Sequence, residues 1–273
     1  MNRNNRVQIV LILLFLFGAI VFAQNKVTNE DQQLREEILA VYQSRGEKGL
    51  TDFVKRNQDK ISNKFIVDFT ELGFEQREEK WLKISEIMAK EKKDKKTLVN
   101  VLYQTGECFR LISEYKKATE YFNKALPISL ELKNQVGQGY VYMRIGNIYY
   151  LTGENLKALE MYDKALPFFE KSGEPIGQGN VYWSKGKLYL IIGEPSKALK
   201  MYDRALPFFE KAETPLGQGN VYKGKGDIYS HTGDNSSALK MYDKALTFYE
   251  EKGSHVSKGE LLSIVVDEKN YFF

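Results

Sequence analysis

Gly177-Gln-Gly-Asn-Val-Tyr182 returns letter for letter as Gly217-Gln-Gly-Asn-Val-Tyr222, and Gly137-Gln-Gly-Tyr-Val-Tyr142 precedes both at the same spacing of 40 residues. Met161-Tyr-Asp-Lys-Ala-Leu-Pro-Phe-Phe-Glu-Lys171 recurs as Met201-Tyr-Asp-Arg-Ala-Leu-Pro-Phe-Phe-Glu-Lys211, and Met241-Tyr-Asp-Lys-Ala-Leu246 opens a third copy. A diverged earlier copy supplies Gly106, Ala118, Phe122, Ala125 and Pro127 in the same phase. Self-similarity at such a period marks an array of small units that bury their apolar faces by stacking on one another.

Each period reads as two helices. Ala158, Leu159, Tyr162, Ala165, Leu166 and Phe169 form one continuous apolar stripe of a 3.6-residue helix, and Tyr142, Ile145, Gly146 and Tyr149 do the same over a shorter stretch. Gly153 and Gly193 stand between the halves, where a left-handed glycine ends a helix and lets the chain turn back. Small residues at Gly146, Gly186 and Gly226, and at Ala158, Ala198 and Ala238, allow the two helix axes to approach closely.

These residues resemble the tetratricopeptide repeat (TPR) family. Its pattern of aromatic, glycine, tyrosine, turn glycine, alanine, aromatic and alanine is met by Tyr182, Gly186, Tyr189, Gly193, Ala198, Tyr202 and Ala205. One period earlier Tyr142, Gly146, Tyr149, Gly153, Ala158, Tyr162 and Ala165 match; one period later Tyr222, Gly226, Tyr229, Gly233, Ala238, Tyr242 and Ala245 do. The unit is longer than the usual ~34 residues and is similar to the extended repeats of kinesin light chains. The resemblance implies an all-α, right-handed superhelical solenoid of antiparallel hairpins, four of them over residues 98–252. It departs from the family in two places. Lys185 and Lys225 replace the leucine before the first-helix glycine, which implies loosened packing within the hairpin. Pro127, Pro167 and Pro207 lie deep in the second helix and are expected to bend it.

The family also implies that the first, or A, helices line a concave wall, and that their positions between core residues touch a protein or peptide partner. Here these are Tyr140, Met143, Asn147 and Tyr150; Asn180, Trp183, Lys187 and Leu190; Asn220, Lys223, Asp227 and Ser230. Trp183 and Met143 are large apolar side chains expected off the core face, where they serve as anchors. The family's basic-and-asparagine clamp for chain-terminal carboxylates is not reproduced, because Met143 stands four before Asn147.

Chemistry is sparse in this sequence. With 40 Lys+Arg against 36 Asp+Glu the charge is nearly balanced, which argues against a nucleic-acid binder. One cysteine (Cys108) and two histidines (His231 and His255) exclude an intramolecular disulfide and a Cys- or His-rich metal site, so no metal or cofactor is expected. Gly219 to Lys225 fits the lettering GxxxxGK but has neither a preceding strand nor a following Ser/Thr, so it reads as helix packing. The GxG at 177–179 and 217–219 lacks the strand and acidic partner of a dinucleotide site. No nucleophile–base constellation appears, and no catalytic residue is assigned.

Residues 1–23 read as an address. Arg3 and Arg6 precede an apolar run from Val7 to Phe22, and Val21-Phe22-Ala23 provides small residues at a cut before Gln24. The run is short for a bilayer about 30 Å thick, so a cleaved export signal is expected, with a retained anchor through residues 7–22 as the alternative. Either places the chain outside the inner compartment, periplasmic or secreted. Residues 24–97 read as three or four helices containing one decayed repeat, since Ile66, Leu82 and Ser85 fall one period before Gly106, Phe122 and Ala125. Residues 253–273 read as a capping helix or a partial fifth repeat, with end-to-end self-association as a further outcome. The expectation is a non-catalytic protein-interaction scaffold. The alternative is the sensory part of a larger signalling enzyme, a caspase-like peptidase or a kinase.

Overall fold

The computed structural model describes residues 28–250; the expectations for residues 1–23 and 253–273 lie outside the described residues. The chain divides into two compact units after Val101.

The first unit is built on α1 (Asn29–Arg56), α2 (Asn63–Gln76) and α3 (Glu79–Glu91). The Thr28 hydroxyl caps α1 by accepting from the Asp31 amide at 3.1 Å, and Ser62 caps α2 by accepting from Phe65 at 3.0 Å. Gly46 interrupts α1 with φ 61° and ψ −159°, a conformation that a side chain disfavours. Ile38 before this break and Leu50 and Val54 after it are all buried, together with Phe65, Phe69 and Met88. α2 and α3 form a hairpin: a Cβ at Gly73 would lie 2.8 Å from Trp81 Cβ. Ile66, Leu82 and Ser85 are buried in it.

The second unit follows the forty-residue period. α4 (Lys95–Leu111), running across the division, leads into α5 (Tyr115–Glu131). Then come α6 (Gln135–Leu151) with α7 (Asn155–Ser172), α8 (Pro175–Ile191) with α9 (Pro195–Lys211), and α10 (Pro215–His231) with α11 (Asn235–Glu250). Proline at the first position of α8, α9 and α10 fixes a helical φ where its missing N–H leaves no bond unmade. The A helices end alike. Gly153, φ 77°, donates to the Tyr150 carbonyl at 3.2 Å, and Glu154 to Tyr149 at 2.8 Å. Gly193 and Gly233 repeat this pair of bonds, which satisfies carbonyls a helix end leaves open. In the first hairpin Ser113 takes the same place at φ 63°.

The two helices of each hairpin meet at the predicted small residues. A Cβ at Gly146 would lie 2.7 Å from the Tyr162 ring, at Gly186 2.6 Å from Tyr202, and at Gly226 2.7 Å from Tyr242. Tyr162 and Tyr202 are fully buried; withdrawing a side chain of this size from water contributes about 2–3 kcal/mol. The GxG segments close a second seam. Gly177 and Gly217 lie against Phe169 and Phe209 of the preceding hairpin, whereas Gly179 and Gly219 lie 2.9 Å and 2.6 Å (ideal Cβ to ring) from Phe209 and Tyr249 of their own. Gly219 to Lys225 is therefore helix interior packed between two rings. Tyr142, Tyr182 and Tyr222 stack on Phe168, Phe208 and Phe248, with centroids 5.6–5.7 Å apart.

The lysines before the glycines do not loosen the hairpins. Lys185 pairs with Asp163 at 2.6 Å and Lys225 with Asp203 at 2.5 Å, each reaching back to the B helix of the preceding hairpin. The Lys185 side chain is only 14% exposed while Asp163 is 61% exposed. The stem is covered and the charge meets its partner at the rim, so the substitution adds a tie between hairpins. α5, α7 and α9 carry Pro127, Pro167 and Pro207 internally and continue as helix to Glu131, Ser172 and Lys211.

Candidate functional site

α6, α8 and α10 are the same scaffold with different side chains set into it. α8 and α10 share Gly-Gln-Gly-Asn-Val-Tyr, the Lys-Gly pair and the following tyrosine, which apart from the wall positions Asn180 and Asn220 are chiefly packing positions. Their differences include Trp183 against Lys223, Lys187 against Asp227 and Leu190 against Ser230. These coincide with the wall positions named above.

The structure does not treat those positions alike. Met143 is 3% exposed and belongs to the core of Ala158, Tyr162 and Phe169; the expectation of an exposed anchor there is corrected. The stripe of α6 is wider than the period suggested, because the α8 hairpin covers its next face. Tyr140 is half-buried edge-on against Phe169, centroids 5.0 Å apart, and burial raises its hydroxyl pKa. Asn147 accepts a 2.8 Å hydrogen bond from the Tyr162 hydroxyl. Asp227 accepts one from Tyr242 at 2.9 Å and pairs with Lys223 at 2.9 Å. Asn220 accepts from Tyr249 at 2.8 Å. Trp183 is half-buried, its indole N–H donating to the Asn220 carbonyl at 3.4 Å. Leu190 is half-buried against the core of Ala198, Tyr202 and Ile228.

Two wall residues stand apart. Asn180 makes no side-chain hydrogen bond among the described residues, because the position that Tyr249 occupies in the next hairpin is Phe209 here, without a hydroxyl. Lys187 occupies the place of Asn147 and Asp227 but has no acceptor to offer Tyr202. Its ammonium lies 5.0 Å from the Tyr150 ring centroid and 4.8 Å from that of Trp183. Burial lowers the Lys187 pKa, nearby Lys223 lowers it further, and Asp227 opposes both.

Asn147, Tyr150, Trp183 and Lys187 come together around a cleft of about 160 Å³, completed by Arg110, Leu151, Tyr162 and Ser184. Arg110 is a residue that sequence reasoning missed. Its Nε and Nη2 donate to the two Glu107 carboxylate oxygens at 3.1 Å each, and Arg144 Nε stands 3.3 Å from Glu107 and donates to the Tyr103 hydroxyl at 3.0 Å. The spacing of Glu107 and Arg110 at i, i+3 foretells their ion pair but not the place of Arg110 in the cleft. The cleft presents two cations, the Asn147 amide, the Ser184 hydroxyl and aromatic faces. Among the described residues no group of three or more His, Cys, Asp and Glu side chains could hold a metal, and no helix is long and apolar enough to cross a membrane. His231, the last residue of α10, is exposed at the helix end.

Solved structures share this fold at low identity. Aspartyl phosphate phosphatase F from Bacillus subtilis is 15% identical with a TM-score of 0.68, over 92% of this chain and 72% of that one. A Rap protein complexed with competence and sporulation factor is 15% identical with a TM-score of 0.63, over 90% and 72%. A putative kinesin light chain of Podosopora anserina with nearly identical TPR-like repeats is 11% identical with a TM-score of 0.52, over 75% and 99%. No curated protein matches the chain. Two family models do match it, both described as tetratricopeptide repeat, one over residues 138–211 and the other over 220–252. Residues 138–211 and 220–252 are tetratricopeptide repeats.

Proposed function

We propose that this chain is a non-catalytic scaffold that holds a peptide or protein segment against the concave wall made by α4, α6, α8 and α10. One observation carries the reading: near-identical hairpins keep the glycines and tyrosines at which their helices meet, and change in chemical character at the wall positions 183, 187 and 190 against 223, 227 and 230. Trp183, half-buried beside the cleft, offers the aromatic face that anchors at interfaces supply. A solved neighbour of this fold is a Rap protein complexed with a factor, which agrees with a TPR wall taking a ligand.

We further infer, from residues 1–23 alone, that the chain is exported and acts in the periplasm or outside the cell. Fractionation with N-terminal sequencing of the mature product tests this: a product starting at Gln24 outside the cytoplasm supports it, and an intact chain in the cytoplasm overturns it. The binding reading is tested by affinity capture with the wild type and with Trp183→Ala plus Asn180→Ala. Loss of specific partners from the variant supports the wall, and an unchanged partner set rejects it.

A further inference from the structure

The wall has two chemically different halves. Along α10 the polar groups are spent on one another: Lys223 on Asp227, Asp227 also on Tyr242, and Asn220 on Tyr249. Around α8 they are not. Lys187 forms no ion pair among the described residues; its ammonium rests between Tyr150 and Trp183, over rings that supply no counter-charge. Arg110 and Arg144 share one carboxylate, Glu107. Arg110 and Lys187 line the same cleft, and no carboxylate lines it with them. At its edge Leu151 is 48% exposed, an apolar surface next to the surplus charge.

We propose that the half of the wall formed by α4, α6 and α8 is the ligand site, and that it takes an internal acidic peptide segment: two carboxylate side chains flanking an apolar residue, one for Lys187 and one for Arg110. α10 is then a closed structural element. This rests on the reading that the wall binds a peptide. A carboxylate approaching from the open side of the cleft gains a charge-assisted bond to Lys187 without removing its rings, and such bonds strengthen where water is partly excluded. Arg110, held by both Glu107 oxygens, keeps its orientation at the cleft and has N–H groups beyond the two that Glu107 takes. The apolar residue between the acids settles on Leu151 and the Trp183 edge. A chain-terminal carboxylate offsets only one of the two cations that line the cleft, which favours an internal segment.

The experiment is selection of random peptides, displayed inside a coat protein so that no free terminus is offered, on the full chain and on Lys187→Gln, Arg110→Gln, Lys223→Gln and Trp183→Ala, each checked for folding by circular dichroism. Expected are paired Asp/Glu residues around an apolar one. Measured with synthetic copies, binding weakens at least about tenfold in Lys187→Gln and Arg110→Gln, stays nearly unchanged in Lys223→Gln, and falls with added salt. Enrichment of uncharged peptides that still depend on Trp183 overturns the acidic inference and leaves the binding wall intact. Loss of binding in Lys223→Gln equal to that in Lys187→Gln overturns the division of the wall. Absence of any enrichment that Trp183→Ala removes overturns both.

Discussion

Replacing Gly186 by alanine should destabilise the array even though alanine is the better helix former. The added carbon falls 2.6 Å from Tyr202 Cε1, 2.8 Å from Cδ1 and 3.1 Å from Cζ, well inside the ~3.5–4.0 Å of ordinary carbon contact. Tyr202 is 1% exposed and cannot swing into water. Nor can it retreat, since Gly224 of the next hairpin lies against its other side, 2.5 Å from ideal Cβ to Cζ. Overpacking costs about 1–3 kcal/mol, and a ring held on both faces belongs in the upper part of that range. Helix propensity returns about 1 kcal/mol. The net loss is about 1–2 kcal/mol, or about 2–8 °C in Tm. Thermal and urea unfolding followed by circular dichroism read it directly. A double-mutant cycle isolates the cause: in a Tyr202→Leu background the clash is gone, and Gly186→Ala there should be neutral or stabilising by up to about 1 kcal/mol. If Gly186→Ala has the same effect with and without the ring, the argument that these glycines exist for helix–helix contact is refuted.

Other outcomes follow from the same contacts. Tyr162→Phe removes the 2.8 Å bond to Asn147 and should cost about 1 kcal/mol, whereas Tyr202→Phe, facing Lys187, should cost less than about half of that; urea midpoints compare the two. Lys185→Leu loses the tie to Asp163 but gains an apolar stem, so stability should change by no more than about 1 kcal/mol, and a larger loss would show the tie to be essential. Alkaline pH should unfold the second unit. Burial, with Asp227 adding, pushes Tyr249 up from 10.0 to about 12, and burial raises Tyr162 and Tyr202 as well. A folded-state pKa above the unfolded one means this stabilisation is full below about pH 10 and declines as pH climbs toward 12 and beyond. Melting temperature should hold to that point and then fall, with a late-ionising tyrosine absorbance appearing as the helices are lost; a flat Tm through pH 12 would contradict it.

The hairpins were legible because repetition turns one local pattern into three tests of itself. Gly186 and Tyr202, and Gly177 and Phe169, recur forty residues on, and only close helix packing asks for both partners each time. What escaped the sequence are contacts whose partners sit on different periods. Lys185 looked like a defect within its own hairpin because its carboxylate, Asp163, belongs to the hairpin before it. Met143 looked exposed because the stripe of one helix says nothing of what the next hairpin covers. Arg110 was invisible as a wall residue, since the first repeat has diverged and its place in the cleft depends on α6 and α8 alongside it. In the first unit the break at Gly46 fell inside an otherwise continuous helical pattern, and a single glycine there gave no sign that it takes a positive φ.

The central claim is that ligands meet the A-helix wall, and it can be tested by placing a photo-crosslinking amino acid at Asn180 on α8 or at exposed Lys200 on α9 and irradiating each protein with the selected acidic peptide. Adducts from position 180 and none from position 200 are the predicted result. Adducts from position 200 with none from 180 would move recognition to the B helices and contradict the account.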